Sequence, residues 1–119
     1  MTLVDTSIWI EHLRQGNELL SKLLHREEVL IHPFIVGELA LGSMRNRAEI
    51  MNLLSSLPHL SVAEHEEVLA LVESRSLAGT GIGWVDAHLL ASALMASARV
   101  FTADRPLLKA CRALGVTGV

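Results

Sequence analysis

The chain has 119 residues, half of them hydrophobic and 19% charged, with a formal net charge of −3. That length fits one domain, residues 1–119, built on one core. The negative balance excludes global attraction to a polyanion, which would have to be held locally by metal ions and a few arginines.

In chain order, Thr2-Leu3-Val4 reads as a strand and Asp5 as its end, with a helix from Ser7 to about Gln15. A helix over Glu18–Leu24 follows, then a β-branched and aliphatic strand, Val29-Leu30-Ile31. Pro33 stands at a first helical position and Gly42 at the stop of the next helix, and Glu49–Ser56 forms another. Leu60-Ser61-Val62, bounded by Pro58, is a weaker strand. Ala63–Leu77 turns Val68, Leu71 and Val72 inward and its charges outward, and Gly79 ends it. Val85–Ser97 is apolar nearly all round, which predicts a central, buried helix. Arg99–Thr102 is a strand, Pro106–Leu114 a helix, and Val116-Thr117 a short fifth strand.

Strands alternating with helices imply an α/β fold: a short parallel sheet of four to five strands flanked by helices. The hydrophobic share fits a sheet covered on both faces and leaves apolar surface for a partner, so a homodimer is expected. The start lacks a basic region and its apolar run is cut by Asp5 and Glu11, so no secretory signal is expected. Ser76–Ala98 carries only Asp86 as a formal charge, but its three glycines and an acid near its centre argue against a membrane span. Cys111 is the single cysteine, which rules out an intrachain disulfide and fits a reducing, cytoplasmic setting.

The chain has only three aspartates, Asp5, Asp86 and Asp104, and each opens a helical segment. In open α/β sheets ligands bind outside the carboxyl ends of the strands. Taken singly the acids have ordinary readings: Asp5 and Asp104 as helix caps, Asp86 as a helix opener. Glu38 has Phe34, Ile35, Leu41 and Gly42 as its helical neighbours and no cation among them. Its ordinary reading is an acid at the helix rim reaching water. Together the four would repel one another in a shared pocket unless protonated or compensated by a cation. Oxygen-only ligands suit Mg²⁺ or Mn²⁺. His25, His32, His59 and His65 are scattered, and no zinc motif occurs. His88 reads as a polar residue near a helix start. The Gly79–Gly83 loop lacks the lysine of a phosphate-binding loop and reads as a mobile turn beside Asp86.

Val4-Asp5-Thr6-Ser7, Val36-Gly37-Glu38-Leu39, Trp84-Val85-Asp86-Ala87-His88-Leu89-Leu90-Ala91 and Phe101-Thr102-Ala103-Asp104 recur in an order and spacing that resembles the PIN-domain ribonucleases. The nearest subgroup looks like the VapC toxins of prokaryotic toxin–antitoxin modules, and the resemblance runs from Thr2 to about Leu114. It implies a single PIN-like domain and a metal-dependent endoribonuclease acting on transfer or ribosomal RNA. Asp5, Glu38, Asp86 and Asp104 would match the family's acidic quartet, with Ser7 and Thr102 supporting them. Asp5 and Asp86 would hold one or two Mg²⁺ or Mn²⁺ ions, and Glu38 and Asp104 would complete the shell or orient water. Products with a 5′-phosphate and a 3′-hydroxyl, a VapB-like antitoxin whose tail occupies the acidic groove, and homodimerisation are implied as well. The chain departs from the pattern after Asp104, where Arg105-Pro106-Leu107 stands in place of a further acid. Arg45, Arg47 and Arg105 are candidates for phosphate contacts.

Other classes fit less well. A phosphoacceptor receiver domain needs paired acids after its first strand and a mid-chain Asp, and a haloacid-dehalogenase-like phosphatase needs Asp-x-Asp where Ser7 stands. A non-catalytic α/β interaction module would have no use for four acids.

Overall fold

The computed structural model describes residues 1–118. Three strands, β1 (Thr2–Val4), β2 (Val29–Leu30) and β3 (Arg99–Phe101), form a parallel sheet in the order β2-β1-β3. Seven helices surround it: α1 (Thr6–Gln15), α2 (Glu18–His25), α3 (Pro33–Leu41), α4 (Arg47–Ser56), α5 (His65–Ser74), α6 (Trp84–Met95) and α7 (Arg105–Leu114). Thr2 stands opposite both Val29 and Arg99, so the strands run in step and end together beside Asp5.

The sheet is shorter than four or five strands. Two of the expected strands reduce to single bridges, Ile31 with His59 and Val100 with Thr117, among the described residues. Leu60 donates to the Ile31 carbonyl, but Ser61 and Val62 are exposed and pair no further. At the other edge Gly118 donates to the Val100 carbonyl at 2.7 Å, and a Cβ on Gly118 would stand 2.9 Å from that oxygen. Only glycine fits there without a shift of the chain.

The central strand β1 is buried throughout. Helix α6 is buried from Ala87 to Ala93, as its all-round apolar pattern predicts. Leu89 and Leu90 join the main core with Leu3, Val4, Trp9 and Val100, while Ala87 and Ala91 pack under Ala63 and Val68 of the α5 segment. Helix α5 is shorter than Ala63–Leu77. A capping box between Glu64 and Glu67 starts it, and Ser76 in a left-handed conformation at φ 54° follows its end. Among the described residues no helix is long and apolar enough to cross a membrane.

Candidate active site

Asp5 ends the central strand and is 4% exposed. Its backbone N–H donates to the Phe101 carbonyl, tying it to β3. Its Oδ1 accepts from Ser7 N at 3.0 Å, from Ser7 Oγ at 2.5 Å and from Ile8 N at 3.4 Å. Its Oδ2 accepts from Thr102 Oγ1 at 2.5 Å. A carboxylate taken out of water is costly unless hydrogen-bonded, and these four donors meet that cost. The capping reading of Asp5 therefore holds, but it accounts for one oxygen only.

The same network fixes Asp104. Its backbone N–H donates to Thr102 Oγ1 at 3.0 Å, and its Oδ2 accepts from Leu107 N at 3.1 Å, which caps α7. Ala103 N donates to Ser7 Oγ at 3.1 Å. Ser7 and Thr102 thus stitch the ends of β1 and β3 together, 96 and 97 residues apart in the chain.

Glu38 lies on the exposed face of α3 and reaches water, as its rim reading expects. Its Oε1 also accepts from Thr6 Oγ1 at 2.8 Å, which holds the carboxylate against the start of α1. The Thr6 contact was not legible in the sequence, because it joins residues 32 apart.

Asp86 does not open its helix. Gly83 is the N-cap of α6, and Asp86 is the third helical residue. Its carboxyl is pushed up from the ordinary 3.8 to about 6, by burial first and then by the charges of Asp104, Asp5 and Glu38. All four acids therefore act on one region of space, although they come from four separate segments. Burial disfavours the charged form, and like charges brought together without a counter-ion add to the effect.

The donor set is all carboxylate oxygen, which suits a hard cation. Among the described residues, no three acidic, imidazole or thiol groups stand close enough together to hold an ion by themselves. Carboxylate oxygens without imidazole or thiolate are the donor chemistry of Mg²⁺ or Mn²⁺, which keep several waters and rest on one or two carboxylates plus a substrate phosphate. This donor set does not fit a structural zinc site, which is closed by four nitrogen or sulfur ligands.

The arginines separate by environment. Arg47 donates to the Gly42 carbonyl at 3.2 Å and to the Ala40 carbonyl at 2.5 Å, so its guanidinium closes the end of α3. Arg45 and Arg105 are exposed. Arg45 lines a cleft of about 630 Å³ with Ile10, Leu13, Arg14, Glu38 and Leu39, so this groove of mixed polar and apolar lining includes an acid of the cluster.

A row of rings borders α6 and was missed in the sequence. His32, Phe34, His88, Trp84 and His65 follow one another with centroids 5.0, 4.9, 5.0 and 5.1 Å apart. The one local signal is the spacing of four between Trp84 and His88, which puts them on one helix face. His88 is buried rather than a simple polar residue at a helix start, and burial together with His65 pushes its pKa down. His32 is also buried, and its Nε2 lies 3.2 Å from Ser92 Oγ.

Strand-end acids joined by hydroxyl side chains, with a third acid on α6 and a fourth on α3, match the order of the segments quoted above. Residues 2–113 match the PIN domain, and the chain belongs to this family. Within it the chain is of the VapC type. It is 49% identical over 117 residues to a protein named Ribonuclease VapC32 from two strains of Mycobacterium tuberculosis, covering 98% of this chain and 94% of those proteins. In fold it is similar to the crystal structure of PAE2754 from Pyrobaculum aerophilum, with a TM-score of 0.66, 22% identity, and coverage of 92% of this chain and 83% of that one.

Proposed function

We propose that the chain is a divalent-metal-dependent endoribonuclease, the toxin of a toxin–antitoxin pair, which hydrolyses phosphodiester bonds of transfer or ribosomal RNA and so inhibits translation. The observation that carries this reading is the convergence of Asp5, Glu38, Asp86 and Asp104 on one region: burial first, and then the charges of the other three, push the Asp86 carboxyl up to about 6. A cation relieves the repulsion among these charges and gives the site a reason to exist. The relatives named Ribonuclease VapC32 support RNA as the substrate.

Asp5 and Asp86 would hold the ion, with Glu38 and Asp104 completing or orienting the shell. When bound, the ion lowers the pKa of water and neutralises charge on the scissile phosphate. Asp5 is fixed by its four donors, three on Oδ1 and one on Oδ2, so it presents the remaining lone pair of Oδ2 without reorganisation. Glu38 is exposed and anchored at one oxygen by Thr6, which leaves the other free to orient water or accept its proton. Hydrolysis adds water across one P–O3′ bond and leaves a 5′-phosphate and a 3′-hydroxyl. Product ends from purified protein acting on single-stranded RNA test this route. A 2′,3′-cyclic phosphate would mean attack by the RNA's own hydroxyl and would overturn it.

Thr102 supports both Asp5 and Asp104, so Thr102→Val should weaken Mn²⁺ binding about 10–100-fold. Calorimetry on a variant with an unchanged circular dichroism spectrum reads this directly. Arg45 and Arg105 are the phosphate contacts in this reading, since Arg47 is engaged at the end of α3. Arg45→Ala should reduce the salt dependence of RNA binding by about one counter-ion, whereas Arg47→Ala should lower stability and leave the slope unchanged.

The partner of the cleft beside Glu38 would be a VapB-like antitoxin. An apolar segment would lie between Ile10, Leu13 and Leu39, and a basic side chain at its end would reach the acids and compete with the ion. Homodimerisation and a cytoplasmic setting complete the proposal.

A further inference from the structure

Trp84 is the first residue of α6 and is 42% exposed. The chain has two tryptophans, two phenylalanines and no tyrosine. Trp9 is fully buried, and Phe34 and Phe101 are partly buried. Trp84 is thus the one broad aromatic surface of this set presented to solvent.

The indole is braced. His88, one turn along the same helix face, packs nearly perpendicular to it, at 87° and 5.0 Å. His65, the first residue of α5, lies at 5.1 Å and 51°. Phe34 backs His88 at 4.9 Å. His88 Nδ1 has no hydrogen-bond partner among the described residues, so ring packing holds this part of the row. A side chain fixed in this way loses little entropy when a ligand settles on it.

Its place in the fold gives the ring a use. A Cβ on Gly81 would meet the Pro106 side chain at 3.3 Å, so the loop before α6 lies against the start of α7, next to Asp104. Asp86 follows Trp84 by two residues, and the two leave the first turn on different sides. The ring therefore shares the first turn of α6 with Asp86 and leaves it on a different side from the phosphate the acids would engage.

We propose that Trp84, braced by His65 and His88, is a stacking platform for an unpaired base next to the scissile phosphate, and that it selects single-stranded RNA. This rests on the nuclease reading. A chain of net charge −3 gains little from phosphate attraction, and aromatic stacking supplies affinity that does not depend on charge or on base identity.

Tryptophan fluorescence tests it, because Trp9 is sealed in the core and Trp84 is open. A short single-stranded oligoribonucleotide, added with Ca²⁺ as the only divalent cation, should quench the emission saturably, and the same sequence as a duplex should quench it far less. In cleavage assays with Mn²⁺, Trp84→Ala should raise KM for the single strand about tenfold while kcat changes less than about threefold, and Trp84→Phe should stay within about threefold of the wild-type KM. Active protein that shows no quenching, with KM unchanged in Trp84→Ala, would overturn the platform. So would a Trp84→Ala variant whose sedimentation mass changes while its KM does not, since the ring would then be a protein contact. Quenching by the single strand without any cleavage would support the platform and sink the nuclease reading.

Discussion

Asp86→Asn is expected to lower RNA cleavage by at least about a hundredfold and, in EDTA at pH 7, to raise the melting temperature. Both effects come from one property. The Asp86 carboxyl stands at about 6 because burial and three neighbouring carboxylates oppose its charge. In the unfolded chain it ionises near 3.8. The folded, metal-free protein therefore binds the proton more tightly between those values, and the contribution of Asp86 to stability falls as pH rises from about 4 to about 6. Asparagine removes that penalty along with a ligand. Mn²⁺ should stabilise the wild type and leave the variant unchanged.

His32 acts in the opposite sense over the same range. Burial, and then the charge of His88, push its pKa from 6.5 down to about 4, so the folded state resists protonation and stability is lost as pH falls through that window. In the wild type the two slopes offset each other. In Asp86→Asn the His32 slope is no longer offset by Asp86, and the variant should be the more acid-labile of the two relative to its own stability at pH 7. Thermal melts in EDTA at pH points below, between and above these two values measure this. A variant that melts below the wild type at pH 7 would contradict the repulsion on which the site is argued.

Leu90→Ala is the second large effect, and it acts on the fold. Leu90 is 0% exposed and sits in the middle of α6, between the main core and the α5 side. Truncation loses transfer free energy and leaves a cavity, at a cost of about 2–5 kcal/mol. For a domain of this size the melting temperature should fall by about 10 °C or more. Activity at low temperature should remain, because Asp5 and Asp104 are held by hydrogen bonds at the strand ends and Asp86 lies in the first turn of α6, one turn away from Leu90. A large loss of kcat in a folded Leu90→Ala variant would show that the core of α6 positions Asp86 more directly than its place in the helix indicates.

The elements most legible in the sequence were those with strong local rules. Helix α6 announced itself by an apolar pattern with no polar face, and α7 by Asp104 ahead of Pro106. Asp5 and Asp104 were legible as caps, and both are caps. What the sequence could not display was pairing across distance. The expected strand at Leu60–Val62 meets only Ile31, because Ser61 and Val62 turn to solvent, and Val116–Thr117 makes a single bridge. Asp86 reads as a helix opener because it follows a glycine-rich loop, but the helix begins at Trp84 and Asp86 is its third residue. The grip of Thr6 on Glu38 and the packing of Phe34 on His88 depend on how α3 crosses α1 and α6, which no local pattern records. For the site, the sequence offers all four acids as one pocket, and the charges of Asp5, Glu38 and Asp104 act on Asp86. The rings beside them came only from the fold.

The central claim is that these four carboxylates work through a divalent cation. The most direct measurement is the cleavage rate of a single-stranded RNA by purified protein as Mn²⁺ is titrated in from an EDTA-treated start, with Asp86→Asn alongside. The account predicts no cleavage in EDTA, a saturable rise with Mn²⁺ in the wild type, and none in the variant at any Mn²⁺ concentration that leaves the RNA intact by itself. Cleavage by the wild type that persists in excess EDTA would contradict it.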